Sequence, residues 1–176
     1  MQKVLQWTKS IPQYQAEYKN IKIEHPSKCH KCGCMKFYKW GKYERNVINE
    51  DVEYLIPIQR VCCVKCNKTY SYLPSFCISG VCYSTDFIMA FLNALIMKIR
   101  FEFRDVKRRA YIFLSRFVRL ESLWITFLRG RGFGDFPMEK KELTVKIYTA
   151  LQKLHESKNL IAGFFQETGQ HFMREK

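Results

Sequence analysis

The chain holds 176 residues, 47% of them hydrophobic and 15% aromatic, and sets 30 Lys and Arg against 16 Asp and Glu for a formal net charge of +14. That apolar content excludes a disordered polyelectrolyte, and the cationic excess points to a polyanionic partner. The longest apolar run covers only 11 residues, from 87 to 97, which is too short to span a bilayer. With no secretory leader in the first residues, a soluble cytoplasmic protein without a membrane partner is expected.

In chain order, residues 1–27 read as an N-terminal extension. Trp7, Ile11, Tyr14 and Tyr18 recur at helical spacing, although Pro12 argues against an unbroken helix. Ile21, Lys22 and Ile23 alternate as a strand would. Residues 28–76 form the next unit, with strands expected over 35–45, 52–61 and 69–73 and a turn over 46–51. Pro57 marks the second strand as an edge or bulged strand. From Ser84 the apolar period becomes helical. Ser84 or Thr85 is placed to cap a helix carrying Phe87, Ile88, Phe91, Leu92, Leu95, Ile96 and Ile99. A second helix opens at Asp105 with Val106, Ala110, Phe113, Leu114, Phe117 and Leu120. Ser122 is a candidate cap for a third, through Leu123, Trp124, Phe127 and Leu128. Gly130, Gly132, Gly134 and Pro137 break the pattern and end a basic helical region over 84–131. Residues 138–176 then supply a last helix, from 139 to about 157, and a polar tail. The fold class expected is α+β, a small three-stranded ribbon followed by an all-helical region.

The ribbon carries two Cys-x-x-Cys pairs, Cys29 with Cys32 and Cys63 with Cys66. Each pair offers two thiolates from one tight turn, and two pairs complete a closed tetrahedral site for one structural Zn2+ with no position left for water. Unrelated buried cysteines are the bland alternative, and duplicated spacing in a basic chain disfavours it. A redox dithiol needs one pair at a strand-to-helix junction, and neither pair leads into a helical pattern. Cys62 and Cys34 are near neighbours of the ligands, whereas Cys77 and Cys82 read as ordinary packing cysteines. His30 lies inside the first knuckle and reads as facing solvent.

Cys29-His30-Lys31-Cys32-Gly33, the run 40–45 (Trp-Gly-Lys-Tyr-Glu-Arg), the run from Ile58 to Tyr70 and Leu73-Pro74 together resemble the zinc-ribbon module of bacterial insertion-sequence transposases and their small accessory proteins. The resemblance covers residues 28–75. It implies that the four cysteines hold zinc, that a helix-turn-helix follows the ribbon, and that Arg45, Arg60 and the basic helices touch DNA. In that scheme Leu123, Trp124, Phe127, Leu128 and Arg129 look like the end of a recognition helix, and a transposase or other nucleoprotein subunit becomes an expected protein partner. Localisation is then expected at the bacterial nucleoid.

The charge map agrees on DNA. Residues 100–131 carry nine Lys and Arg against three Asp and Glu, whereas residues 132–176 are nearly balanced. Arg100, Arg104, Lys107, Arg108, Arg109, Arg116, Arg119, Arg129 and Arg131 are therefore the candidate phosphate contacts, with RNA left open beside DNA. The competing reading is a solvated helix face whose long cations cover apolar neighbours. Tyr38, Trp40, Tyr43, Tyr70 and Tyr72 are rings that could stack on bases, although a small ribbon uses most of its aromatics as core. Only Asp86, Glu102, Asp105, Glu121 and Asp135 follow the ribbon within 50 or so residues, and no three carboxylates sit on a pattern that suits a ribonuclease-H-like catalytic fold. A non-catalytic duplex-DNA-binding accessory factor or regulator is expected. A protein-interaction subunit docking through ribbon and tail helix is the alternative.

Overall fold

A long β-hairpin dominates the N-terminal half. Strands β2 (Phe37–Asn49) and β3 (Val52–Cys63) pair antiparallel across a two-residue connection, Glu50 and Asp51, with Glu50 in the left-handed region at φ 56°. The hairpin is therefore longer and its turn tighter than the sequence pattern suggests. The computed structural model describes residues 1–99, 107–156 and 160–168. Among these residues the architecture is α+β, as expected, but the sheet has four strands in the order β1-β4-β3-β2. The additional strand is β1 (Gln2–Leu5), which lies parallel to β4 (Thr69–Pro74). A three-stranded ribbon followed by an all-helical region is thus too simple, because the N-terminal residues complete the ribbon's sheet.

Pro57 sits in β3, which has neighbours on both sides, yet it breaks no ladder. β4 pairs with β3 only from Arg60 to Cys62, and beyond that point helix α1 (Ile11–Glu17) takes β4's place. Tyr14 Oη donates to the Pro57 carbonyl at 2.9 Å and Gln15 Nε2 to the Leu55 carbonyl at 3.0 Å. In an antiparallel strand a residue's N–H and C=O point the same way, so the donor that proline lacks would have faced α1 rather than β2. Pro12 is tolerated for a related reason. It lies in the first turn of α1, whose N–H groups have no intrahelical acceptor, behind a Ser10–Gln13 capping box. The alternating Ile21 and Ile23 lie outside any strand but still turn inward, Ile21 onto the α1 core and Ile23 onto the cysteine end of the sheet.

The remaining helices are α2 (Thr85–Ile96), α3 (Lys107–Arg119), α4 (Glu121–Arg129), α5 (Lys140–Glu156) and α6 (Leu160–Thr168). Ser84 caps α2 by accepting from the Phe87 amide at 3.0 Å. Glu139 does the same for the Glu142 amide at 2.8 Å, and the Glu142 and Lys141 amides hold its carboxyl below the usual range. Ser122 is an interior residue of α4 rather than its cap; only Leu120 separates α3 from α4, a closer junction than the three- to four-residue turn of a helix-turn-helix. The helix expected to be the last is followed by another, α6. Its Leu160 and Phe164 are buried with Phe91, Phe117, Trp124, Ile147 and Leu151. Trp124 is the centre of this core, 4.7 Å from the Phe164 ring and 5.9 Å from Phe117, whose carbonyl accepts its indole N–H at 2.9 Å.

Two joints bind sheet to helices. Arg45 Nη2 donates to the Ile78 and Val81 carbonyls at 2.6 and 2.7 Å, and Ile48 exchanges backbone hydrogen bonds with Cys82 and Ser84. On the helical side, Arg131 lies 4.8 Å over the Phe127 ring and reaches Glu167 Oε1 at 2.7 Å. It passes directly over Gly163, where a Cβ would land on the guanidinium. Gly163→Ala therefore sets a gain of about 1 kcal/mol in helix propensity against loss of the ion pair and ring contact, together worth about 1–2 kcal/mol. In urea denaturation the substitution should be near neutral in the native chain and stabilising by about 1 kcal/mol in an Arg131→Ala background. Equal effects in both would contradict the packing.

Candidate metal centre and cationic surface

The two cysteine pairs fold into the same turn. In each, the residue after the second cysteine has positive φ, Gly33 at 70° and Asn67 at 54°. Its amide donates to the carbonyl of the first cysteine, Gly33 to Cys29 at 2.8 Å and Asn67 to Cys63 at 3.0 Å. The first cysteine's amide in turn donates five residues on, Cys29 to the Cys34 carbonyl and Cys63 to that of Lys68. Gly and Asn are the residues that enter the left-handed region at least cost, so the local sequence favours both knuckle turns.

The sheet brings the knuckles together. The Sγ atoms of Cys29, Cys32, Cys63 and Cys66 all lie within 4.8 Å of one another, with Cys29 and Cys66 at 3.5 Å and Cys32 and Cys63 at 3.6 Å. These are not disulfide distances, and all four cysteines are free. A tetrahedral ion with bonds of about 2.3 Å places its sulfurs about 3.8 Å apart, so the donor set fits a four-thiolate metal site. Cys29 and Cys63 are buried, Cys32 and Cys66 partly so.

Tyr70 completes the centre. Its hydroxyl donates to Cys29 Sγ at 3.4 Å and accepts from the His30 amide at 3.0 Å, while His30 Nδ1 stands 2.7 Å away. With its one proton directed at sulfur, the hydroxyl is an acceptor towards His30, which assigns the Nδ1–H form of the ring. The hydrogen bond from Tyr70 is the largest influence on the Cys29 thiol, which is lowered to about 5. Such outer contacts orient ligands and tune a metal. Neither Tyr70 nor His30 carries a sequence signal for this role, beyond the position of Tyr70 in the strand that starts just after the second knuckle.

The remaining cysteines stand apart. Cys62 is buried on the other face of β3, beside Tyr38. Cys34 Sγ accepts from the Lys36 amide at 3.4 Å. Cys77 is buried at the junction between β4 and α2, where desolvation pushes its thiol up to about 12, and Cys82 is exposed.

The cations named from sequence fall into distinct settings. Arg45 and Arg131 spend their guanidinium groups on the joints described above. Arg60 lies 5.5 Å over the Tyr43 ring, and its Nε is buried without a hydrogen-bond partner. Arg109 donates to Tyr83 Oη and lies over that ring, and Arg116 lies over Phe113. Both line an open cavity of about 260 Å³ with Gly80, Val81, Cys82, Tyr83, Ile112 and Phe113. Arg119 is exposed at the end of α3, and Arg129 is exposed over Phe136. Lys107 and Arg108 form the first turn of α3, whereas Arg100 and Arg104 lie outside the described residues. The stretch expected to end a recognition helix is mostly core: Trp124, Phe127 and Leu128 are buried, and α4 turns only Ser122, Thr126 and Arg129 fully outward. Among the described residues no helix is long and apolar enough to cross a membrane.

No family model, curated protein or solved structure matches this chain.

Cys63→Ser removes a ligand and, with it, the closure of both knuckles, so metal content should fall to near zero and the ribbon should lose its protection from proteolysis. Cys77→Ser only places a hydroxyl in an apolar site and should cost about 1–3 kcal/mol with metal retained. Equal effects in metal analysis and denaturation would mean that the four-sulfur assignment is wrong.

Proposed function

We propose that this chain is a zinc-dependent nucleic-acid-binding protein that meets duplex DNA through its cationic surface, without catalysis of its own. Zn2+ is the ion proposed for the four-thiolate site, since thiolates favour it and a closed shell leaves it no open coordination position. Cys29, Cys32, Cys63 and Cys66 would hold it, and its contribution is structural. It would fix the end of the sheet that carries both knuckles.

The observation that carries the reading is the cationic surface of α3 and α4. Arg109, Arg119 and Arg129 are exposed there with Arg116 half-buried between them. Guanidinium groups resting on rings, as those of Arg116 and Arg129 do, can still direct N–H groups at phosphate oxygens, and Arg109, which gives one N–H to Tyr83 Oη, has others to offer. The resemblance of residues 28–75 to insertion-sequence ribbons supports an accessory or regulatory role in transposition, with a transposase as the protein partner.

Binding of the zinc-loaded chain to duplex DNA should weaken steeply with salt. Replacing Arg109, Arg119 and Arg129 by Gln should flatten a plot of log K against log salt by roughly 0.9 for each lost phosphate contact. A flat salt dependence in the native chain would end the DNA reading and favour the docking-subunit alternative.

A further inference from the structure

We propose that the cysteine end of the sheet carries a stacking site for unpaired bases, formed by Tyr38 and Trp40 on β2 with Arg60 on β3. The proposal rests on the nucleic-acid reading above and assigns it a second ligand class, single-stranded nucleic acid, at a surface separate from α3 and α4.

Of the aromatic residues in this half of the sheet, most are used as core. Tyr70 and Tyr72 are buried and Tyr43 lies half-buried beneath Arg60. Tyr38 and Trp40 are different: they remain 39% and 47% exposed, edge to face at 5.7 Å between ring centroids. That ring contact places the two residues on one side of β2. Tyr38 pairs with Cys62, so Cys62 and Arg60, two residues earlier, share that face. Across the next strand Cys62 pairs with Thr69, and Arg60 with Ser71. The same face therefore presents two rings, a guanidinium and two hydroxyls across three strands.

The backbone favours this exposure. The β2–β3 register shifts between Lys39 and Lys42, where Gly41 adopts φ 85° with nothing within 4 Å of the position a Cβ would take. Such a bulge re-aims side chains, and here Trp40 lies in it, so that Trp40 and Gly41 together stand opposite Arg60. A bulge and lysines would suffice to protect β2 as the sheet's free edge, but edge protection does not call for an exposed tryptophan. Lys36, exposed two residues before Tyr38, adds its charge to that of Arg60. A wholly apolar protein partner would have to desolvate these cations, whereas a polyanion matches them. The rings select unpaired bases because a duplex keeps its base faces stacked inside, while a single strand offers every π-face to an aromatic platform.

The test titrates the zinc-loaded full-length chain, at matched ionic strength, with an oligothymidylate and with a mixed-sequence duplex of equal length. Tryptophan emission and affinity are both followed. The single strand should quench emission. Trp40→Ala should weaken it roughly 5- to 150-fold while changing duplex affinity by less than about twofold. Trp40→Phe, which keeps a ring, should retain most of the affinity, and Tyr38→Ala should repeat the selective loss. Unchanged zinc content in each variant verifies the fold. Equal loss on both ligands, or no loss on either, overturns the stacking site. Salt-dependent duplex binding that survives such a result leaves the cationic-surface reading standing, whereas a native chain that binds neither ligand removes both.

Discussion

The meeting of four cysteine sulfurs within 4.8 Å is the constraint on which the N-terminal half depends. Residues 29–32 precede β2, and residues 63–66 bridge β3 and β4, so a metal held by both knuckles fixes the open end of the hairpin to the start of the next strand. The opposite end of the hairpin is fixed differently, by Arg45 on the Ile78 and Val81 carbonyls and by the backbone exchange of Ile48 with Cys82 and Ser84. The small apolar cluster around Cys29, Val61, Cys63, Tyr70 and Tyr72 would be modest alone. Metal ligation there would add free energy that a core of this size cannot supply.

That arrangement divides labour among residues that composition alone treats alike. Arginine is both a structural fastener and a surface cation here. Arg45 and Arg131 hold sheet to helices and helix to helix, whereas Arg109, Arg119 and Arg129 stay outward. The aromatics divide in the same way: Tyr70 donates to a ligand sulfur, Tyr72 is core, and Tyr38 and Trp40 remain outside. A count of charges or rings would rank these residues equally. Their hydrogen bonds and exposure separate them.

The parts legible in sequence are those encoded locally. Cys-x-x-Cys followed by Gly33 or Asn67 specifies a knuckle within six residues, and Ser84 before an apolar helical period specifies the start of α2. The parts that escaped depend on distant partners. Gln2–Leu5 has no strand signature of its own and becomes β1 because β4 offers an open edge. Leu160–Thr168, expected as part of a polar tail, becomes α6 because Leu160 and Phe164 find the core around Trp124. Leu123, Trp124, Phe127 and Leu128 fit the pattern of a recognition helix, yet burial rather than recognition explains most of them. Tyr70 was legible as an aromatic strand residue, but its contact with Cys29 spans 41 positions and is visible only once the sheet is built.

X-ray absorption at the zinc edge of the natively purified chain tests the central claim most directly. Four sulfur neighbours at about 2.3 Å, with no nitrogen or oxygen in the first coordination shell, are the predicted result. A shell with a nitrogen or oxygen ligand, or with fewer than four sulfurs, would contradict a site closed by Cys29, Cys32, Cys63 and Cys66.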